Sequence, residues 1–109
     1  SQEMNIIYKT PEAENRHIAY ETSGNKITLG DDELTLNLSK YEHDDPKHID
    51  ICFDATGCLV VGTATGRKYV AEIEIPARSY TEEVNGDQTE RVPVPFDIDL
   101  CTLVLWEID

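Results

Sequence analysis

The sequence predicts an all-β fold: a single-domain antiparallel β-sandwich or small barrel of about eight or nine short strands, with little or no helix. In several short segments apolar and polar side chains alternate, which is the period of a strand with one buried face. Clusters of Gly, Pro, Asp and Asn separate these segments, as turns require. Helical periodicity never persists for more than a turn or two. We therefore expect one β domain over residues 1–109.

The strongest strand signal runs from His48 to Gly62, HIDICFDATGCLVVG, and predicts a β-hairpin at the centre of the sheet. Asp54 suits the first position of a type I turn, and Gly57 suits the last, where a positive φ forms a glycine bulge. Asp54 then faces Cys58 across the turn, and alternation divides the flanking side chains between two faces. The predicted buried face holds Ile49, Ile51, Phe53, Leu59 and Val61, and the opposite face holds His48, Asp50, Cys52 and Val60.

Further strands are predicted on both sides of this hairpin. The segments before it are the strand Met4–Tyr8, a single helical turn at Glu12–Asn15, and a meander of three strands, Arg16–Glu21, Lys26–Leu29 and Glu33–Ser39. After it come the strands Arg67–Ile75, with Tyr69, Ala71, Ile73 and Ile75 facing inward, and Leu100–Ile108. Because this last segment is apolar on both faces up to Glu107, we expect it to lie inside the fold.

Residues 77–91 are the most polar stretch and predict a protruding hairpin or a mobile loop. Within it, Asn85–Gly86 is a signal for a type I′ turn. The following segment, Val92–Pro95, carries two prolines that remove two backbone donors, so it must be extended and at an edge.

The acidic composition limits the kinds of partner that we expect. The chain carries 22 acidic and nine basic side chains, a net charge of −13, spread along its whole length. Such a surface repels nucleic acid phosphates and anionic lipid, so neither nucleic acid nor membrane is an expected ligand. No run approaches the roughly 18–20 apolar residues that span a bilayer, and Ser1–Glu3 lacks the features of a secretory signal. We interpret residues 1–3 as an added extension before Met4.

The cysteine count favours a reducing compartment. Cys52, Cys58 and Cys101 are odd in number and all lie in apolar strand-like runs. We therefore expect three buried free thiols and a cytoplasmic protein.

A metal site is an alternative function, because His43, Asp45, His48 and Asp50 crowd into a short segment just before and within the hairpin. Successive same-face residues of one strand lie about 6.5–7 Å apart, whereas a tetrahedral Zn²⁺ needs its ligand atoms roughly 3–4 Å from one another. At most two ligands of this strand could then bind one ion. Carboxylates near turns also offer oxygen ligands for Ca²⁺, but their spacing does not match an EF-hand loop. They lie in the segments Gly30–Glu33 and His43–Asp45 and at Asp97 and Asp99.

Motifs for catalysis are missing from the sequence. There is no G-x-S-x-G elbow, no P-loop and no G-x-G-x-x-G segment. We therefore expect a protein without catalytic activity and without a cofactor.

The lead hypothesis is a protein-interaction or assembly module, an adaptor or structural subunit of the kind found in phage-like or other multiprotein assemblies. Edge strands and protruding hairpins are the usual docking elements of β modules. The expected partner is another protein or further copies of this chain. The candidate partner-binding residues are Tyr80, Glu82, Glu83, Asn85, Gly86, Val92 and Val94. A further alternative is an acidic mimic of nucleic acid that inhibits a nucleic-acid-binding protein.

Overall fold

A computed structural model describes residues 3–109 and confirms the all-β prediction. Over that range the chain forms ten strands in three sheets, with only short 3₁₀ turns besides. The strands are β1 (Asn5–Tyr8), β2 (Tyr20–Ser23), β3 (Lys26–Leu29), β4 (Leu34–Asn37), β5 (Lys47–Asp54), β6 (Leu59–Val61), β7 (Gly66–Ile75), β8 (Tyr80–Asn85), β9 (Gln88–Pro93) and β10 (Thr102–Leu105). The 3₁₀ turns are Pro11–Glu14, Leu38–Tyr41 and Ile98–Leu100. Of residues 1–3, which we interpret from the sequence as an added extension, Ser1 and Gln2 lie outside the described residues.

The main sheet has five strands in the order β1-β10-β7-β5-β6. β1 runs parallel to β10, and the other neighbours are antiparallel. β7 is both the central strand of this sheet and its longest. The predicted inside position of the last strand is confirmed, because β10 lies between β1 and β7.

The predicted register of the β5–β6 hairpin is confirmed. Asp54 donates its backbone N–H to Cys58 O at 2.9 Å, and Phe53 pairs with Leu59. Gly57 has a φ of 83°, as the glycine bulge requires. The prediction that this hairpin forms the centre of the sheet is wrong, because β6 is an edge strand.

The edge position of β6 also corrects the predicted buried face of the hairpin. Ile49 and Ile51 are buried, since β7 covers their strand on its other side. Phe53 and Leu59 are only half-buried, and Val61 is 47% exposed. Alternation therefore identified the face correctly but overstated its burial at the open edge.

A second sheet, β2-β3-β4, is the predicted antiparallel meander. β3 has the predicted bounds, whereas β2 begins at Tyr20 rather than Arg16. Buried residues of this meander and of the five-stranded sheet belong to one hydrophobic core. Its members in these two sheets and in the turn after β4 include Ile27, Leu29, Leu36, Leu38, Ile49, Ile51, Ile73, Ile75, Leu103 and Leu105.

A β-bulge in β7 overturns the predicted orientation of Tyr69. Ile51 pairs with Ala71 and the next residue, Cys52, pairs with Tyr69, so Val70 is the extra residue. Val70 is fully buried and Tyr69 is half-buried. Tyr69 leaves the predicted inward set and stacks on the ring of Trp106.

The third sheet is the hairpin β8–β9, which we call the arm (residues 80–93). Every residue from 81 to 91 is exposed. The Cα radius of gyration is 16.5 Å and the principal extents are 60 × 28 × 23 Å, whereas a compact chain of this length has a radius of about 13 Å. The arm therefore projects from the rest of the domain.

The turn at the tip of the arm differs from the predicted type. Asn85 pairs with Gln88, so the two central residues of the turn are Gly86 and Asp87. Gly86 has a φ of 65°, and Asp87 is not among the residues with positive φ. This is the type II′ pattern with glycine in the first central position, not the type I′ pattern.

The cysteines follow the prediction at two of their three positions. Cys52 and Cys101 are buried free thiols, but Cys58 is exposed because it lies just after the β5–β6 turn. No helix among residues 3–109 is long and apolar enough to cross a lipid bilayer.

Candidate functional site

The base of the arm is tied to the connection between β4 and β5. Arg78 donates its backbone N–H to His43 O at 2.7 Å and its Nη2 to Glu42 O at 3.0 Å. The Tyr80 hydroxyl donates to Asp44 Oδ1 at 2.5 Å. These bonds hold Arg78, just before the arm, and Tyr80, its first residue, and so set the direction of the arm.

Beyond its base, the arm has two different faces. On one face the Arg91 guanidinium lies over the Tyr80 ring, 4.1 Å from its centroid, and Val84 is 73% exposed. On the other face Glu83 and Glu90 stand directly opposite each other in the cross-strand register. Like charges in this position destabilise a hairpin. The arm is therefore acidic on one face, with an exposed apolar side chain on the other.

Both strands of the arm keep an unpaired outer edge, because β8 and β9 pair only with each other within residues 3–109. Such edges offer backbone N–H and C=O groups to an incoming strand. The structure places six of the seven sequence-predicted partner residues on the arm: Tyr80, Glu82, Glu83, Asn85, Gly86 and Val92. Val94 follows the arm and donates its backbone N–H to Ser79 O at 2.8 Å.

A second polar region lies on the outer face of the five-stranded sheet, where side chains of β5 and β7 meet. His48 Nε2 is 2.7 Å from Asp50 Oδ1 and 3.5 Å from Glu72 Oε1. His48 Nδ1 contacts Glu74 Oε1. The cross-strand register produces this arrangement, since Asp50 pairs with Glu72 and His48 with Glu74. We call His48, Asp50, Glu72 and Glu74 the histidine–carboxylate cluster.

The structure brings together only two of the four sequence-predicted metal ligands. His48 and Asp50 meet, with Glu72, in a group whose ligand atoms all lie within 4.8 Å of one another. His43 and Asp45 are exposed residues of the connection before β5 and are not part of this group. Glu72 and Glu74 are the residues that sequence reasoning missed. Their alternation with apolar residues on one strand was visible, but their pairing with β5 was not.

The surroundings of the cluster shift the pKa values of two of its side chains or close neighbours, His48 and Tyr69. Hydrogen bonds to Glu74 and then Asp50 raise the pKa of His48, against the opposing effect of partial burial. Trp106 Nε1 donates to Glu72 Oε2 at 2.8 Å. Burial, followed by the charge and hydrogen bond of Asp50, raises the pKa of Tyr69. An imidazolium is therefore well matched to its carboxylate neighbours here.

An open groove of about 540 Å³ lies beside the β5–β6 turn. Its lining residues are Phe53, Asp54, Ala55, Gly57, Arg67 and Lys68, which include neither histidine nor cysteine. The groove thus offers no pairing of a nucleophile with an imidazole base of the kind that covalent catalysis uses.

Comparisons with known proteins give no relative to place beside these sites. The chain matches no protein-family model, no curated protein and no solved structure.

Proposed function

We propose that the protein is a non-catalytic interaction or assembly module that docks a protein partner through the arm. The observation that carries this proposal is the arm itself: a two-stranded hairpin whose residues 81–91 are all exposed. An isolated two-stranded hairpin is only marginally stable in water. A partner that adds a strand to the arm or covers one of its faces would therefore stabilise it.

The charges of the arm favour a basic partner. The arm carries four acidic side chains, Glu82, Glu83, Asp87 and Glu90. Its single basic side chain, Arg91, lies over Tyr80. Lysine or arginine side chains placed between Glu83 and Glu90 would relieve the repulsion between these two carboxylates. Direct pairing of two arms would instead bring like charges together, so a different protein is favoured over a second copy.

Val84 supplies an apolar anchor for such a partner. It is 73% exposed, on the face opposite Glu83 and Glu90. Small interfaces depend on a few desolvated anchors with polar contacts around them. The proposed contact combines strand addition along an edge of the arm with charge pairing across its acidic face.

A charge-matched set of variants tests the proposal. The arm variant carries Glu82→Gln, Glu83→Gln and Glu90→Gln, and the control carries Glu12→Gln, Glu14→Gln and Glu21→Gln, which are exposed elsewhere. Each tagged protein is passed through native extract, and the recovered proteins are compared quantitatively. We expect a specific basic protein that the wild type and control recover equally and the arm variant loses. Identical recovery by all three proteins would contradict the proposal.

A shortened arm separates loss of binding from loss of folding. Replacing residues 82–91 with a two-residue Asn-Gly turn keeps Thr81 opposite Val92 and should leave the melting temperature almost unchanged, because the replaced part of the arm is fully exposed. The radius of gyration should fall from 16.5 Å towards the value of about 13 Å for a compact chain. The same purified partner should no longer bind. A large drop in melting temperature would show that the arm belongs to the fold.

A further inference from the structure

We propose that His48 Nε2, Asp50 Oδ1 and Glu72 Oε1 form a binding site for one divalent first-row transition-metal ion, with Zn²⁺ as the probe. This site lies on the outer face of the main sheet and does not depend on the arm or on its proposed partner.

The separations of the three ligand atoms suit a small ion. Nε2 lies 2.7 Å from Asp50 Oδ1 and 3.5 Å from Glu72 Oε1, and all three atoms are within 4.8 Å of one another. Zinc binds nitrogen and oxygen at about 2.0–2.2 Å, which places neighbouring ligand atoms roughly 3–4 Å apart. The separation of 3.5 Å lies within this range, and the separation of 2.7 Å lies slightly below it.

Two of the three ligands, His48 and Glu72, also have an outer partner that orients them. Glu74 contacts His48 Nδ1, which directs Nε2 towards the other two ligands, as in carboxylate–histidine–metal arrangements. Trp106 Nε1, beyond the end of β10, holds the second oxygen of Glu72 at 2.8 Å. His48 and Glu72 are therefore each held by a residue that is not one of the three proposed ligands.

The donor set favours a transition ion over Ca²⁺ or Mg²⁺. An imidazole nitrogen with carboxylate oxygens suits Zn²⁺ and its neighbours in the first row, whereas Ca²⁺ takes oxygen ligands. The side chains of His48, Asp50 and Glu72 are 42%, 24% and 18% exposed, so water can complete the coordination. On binding, Nε2 gives its lone pair to the metal, and any proton that it carries passes to solvent.

Calorimetric titration of the chelator-treated full-length chain with Zn²⁺ tests the site. The titration is done in a Cys58→Ser background, because the thiol of Cys58 is exposed and would compete for zinc. We expect one ion per chain with a dissociation constant in the micromolar range. Glu72→Gln and Asp50→Asn should each weaken binding by about tenfold or more. Co²⁺ should give an absorption spectrum that the same variants lose.

Two results would overturn the proposal. One is the absence of saturable Zn²⁺ binding in the folded Cys58→Ser protein. The other is binding that is unchanged by both Glu72→Gln and Asp50→Asn but lost in the double variant His43→Asn, Asp45→Asn, which removes exposed residues outside the group. Unchanged circular dichroism of each variant shows that the measured loss concerns the site. The shortened-arm protein should bind zinc like the wild type, which separates this proposal from the proposed function.

Discussion

Trp106 donates its indole N–H to Glu72 Oε2 at 2.8 Å and so joins the segment after β10 to β7 on the outer face of the main sheet. The indole also stacks on Tyr69, with ring centroids 4.7 Å apart and planes inclined by 15°. The Lys9 ammonium lies 5.1 Å from the centroid of the same indole. Trp106 thus holds a carboxylate of the histidine–carboxylate cluster through one polar atom and packs through the rest of its ring.

Replacing Trp106 with phenylalanine should separate these two roles. Trp106→Phe keeps an aromatic ring beside Tyr69 but removes the donor to Glu72. Because a hydrogen bond to a charged group is lost, we expect the free energy of unfolding to fall by about 1–2 kcal/mol. Urea denaturation measures the change. In a double-mutant cycle, Trp106→Phe should cost much less in a Glu72→Ala background, which lacks the acceptor; equal costs in both backgrounds would show that the hydrogen bond contributes nothing.

The core and the open edge of the main sheet should respond differently to truncation. Leu103 is fully buried in β10, so Leu103→Ala should destabilise the protein by about 2–5 kcal/mol. Val61 is 47% exposed on the edge strand β6, so Val61→Ala should cost about 0.5 kcal/mol or less. Phe53 is half-buried, so the loss of stability caused by Phe53→Ala should lie between these two values. Urea denaturation measures the free energy of unfolding of the three variants. If Val61→Ala lowered it as much as Leu103→Ala, the assignment of β6 as an edge strand would be wrong.

The β5–β6 turn should make stability depend on pH through Asp54. Hydrogen bonds from the Thr56 hydroxyl and from the backbone N–H groups of Cys58 and Thr56 lower the pKa of Asp54 below the usual 3.8. A carboxylate whose pKa is lower in the folded state stabilises it above 3.8 and loses that contribution as the pH falls through the lowered value. Asp54→Ala should therefore be destabilising at neutral pH, by an amount that shrinks in acid.

Urea denaturation of the wild type and Asp54→Ala in steps from pH 7 towards pH 3 measures this effect. Asp45→Ala, at an exposed position before β5, is the matched control for the removal of one carboxylate. A difference between wild type and Asp54→Ala that stays constant with pH would rule out the assigned role of the turn carboxylate.

The three thiols should react at very different rates. Cys58 is exposed, whereas Cys52 and Cys101 are buried. Burial raises the pKa of Cys101 to about 11 and also raises that of Cys52, so their reactive thiolate forms are scarce at neutral pH. Ellman's reagent should modify one thiol quickly in the native protein and all three in denaturant. The Cys58→Ser variant should lack the fast reaction, and persistence of that reaction would show that another thiol is accessible.

Local signals in the sequence were sufficient for much of the fold. The turn chemistry of Asp54 and Gly57 gave the correct register of β5–β6, because the turn type sets which residues face each other. Alternation also gave the bounds of β3. Both features depend on residues that are close in the sequence, which is why they could be predicted.

Burial along β6 and β7 could not be predicted in the same way. Alternation alone assigned Tyr69 to the core, but the bulge at Val70 reverses the order of faces within one strand. Alternation likewise assigned Val61 to the core, although β6 has a neighbour on one side only. A bulge and an edge are both relationships with a partner strand, which a periodic pattern does not contain.

The sequence by itself determined that this chain is a β protein with an acidic surface, and that His48 and Asp50 share one strand face. Only the tertiary structure decided that Glu72 and Glu74 complete their surroundings and that the arm stands clear of the domain. The physical reason is the same for both. The packing of the whole core decides which strands distant in sequence pair with each other. It also decides that β8 and β9 have no further neighbour among the described strands.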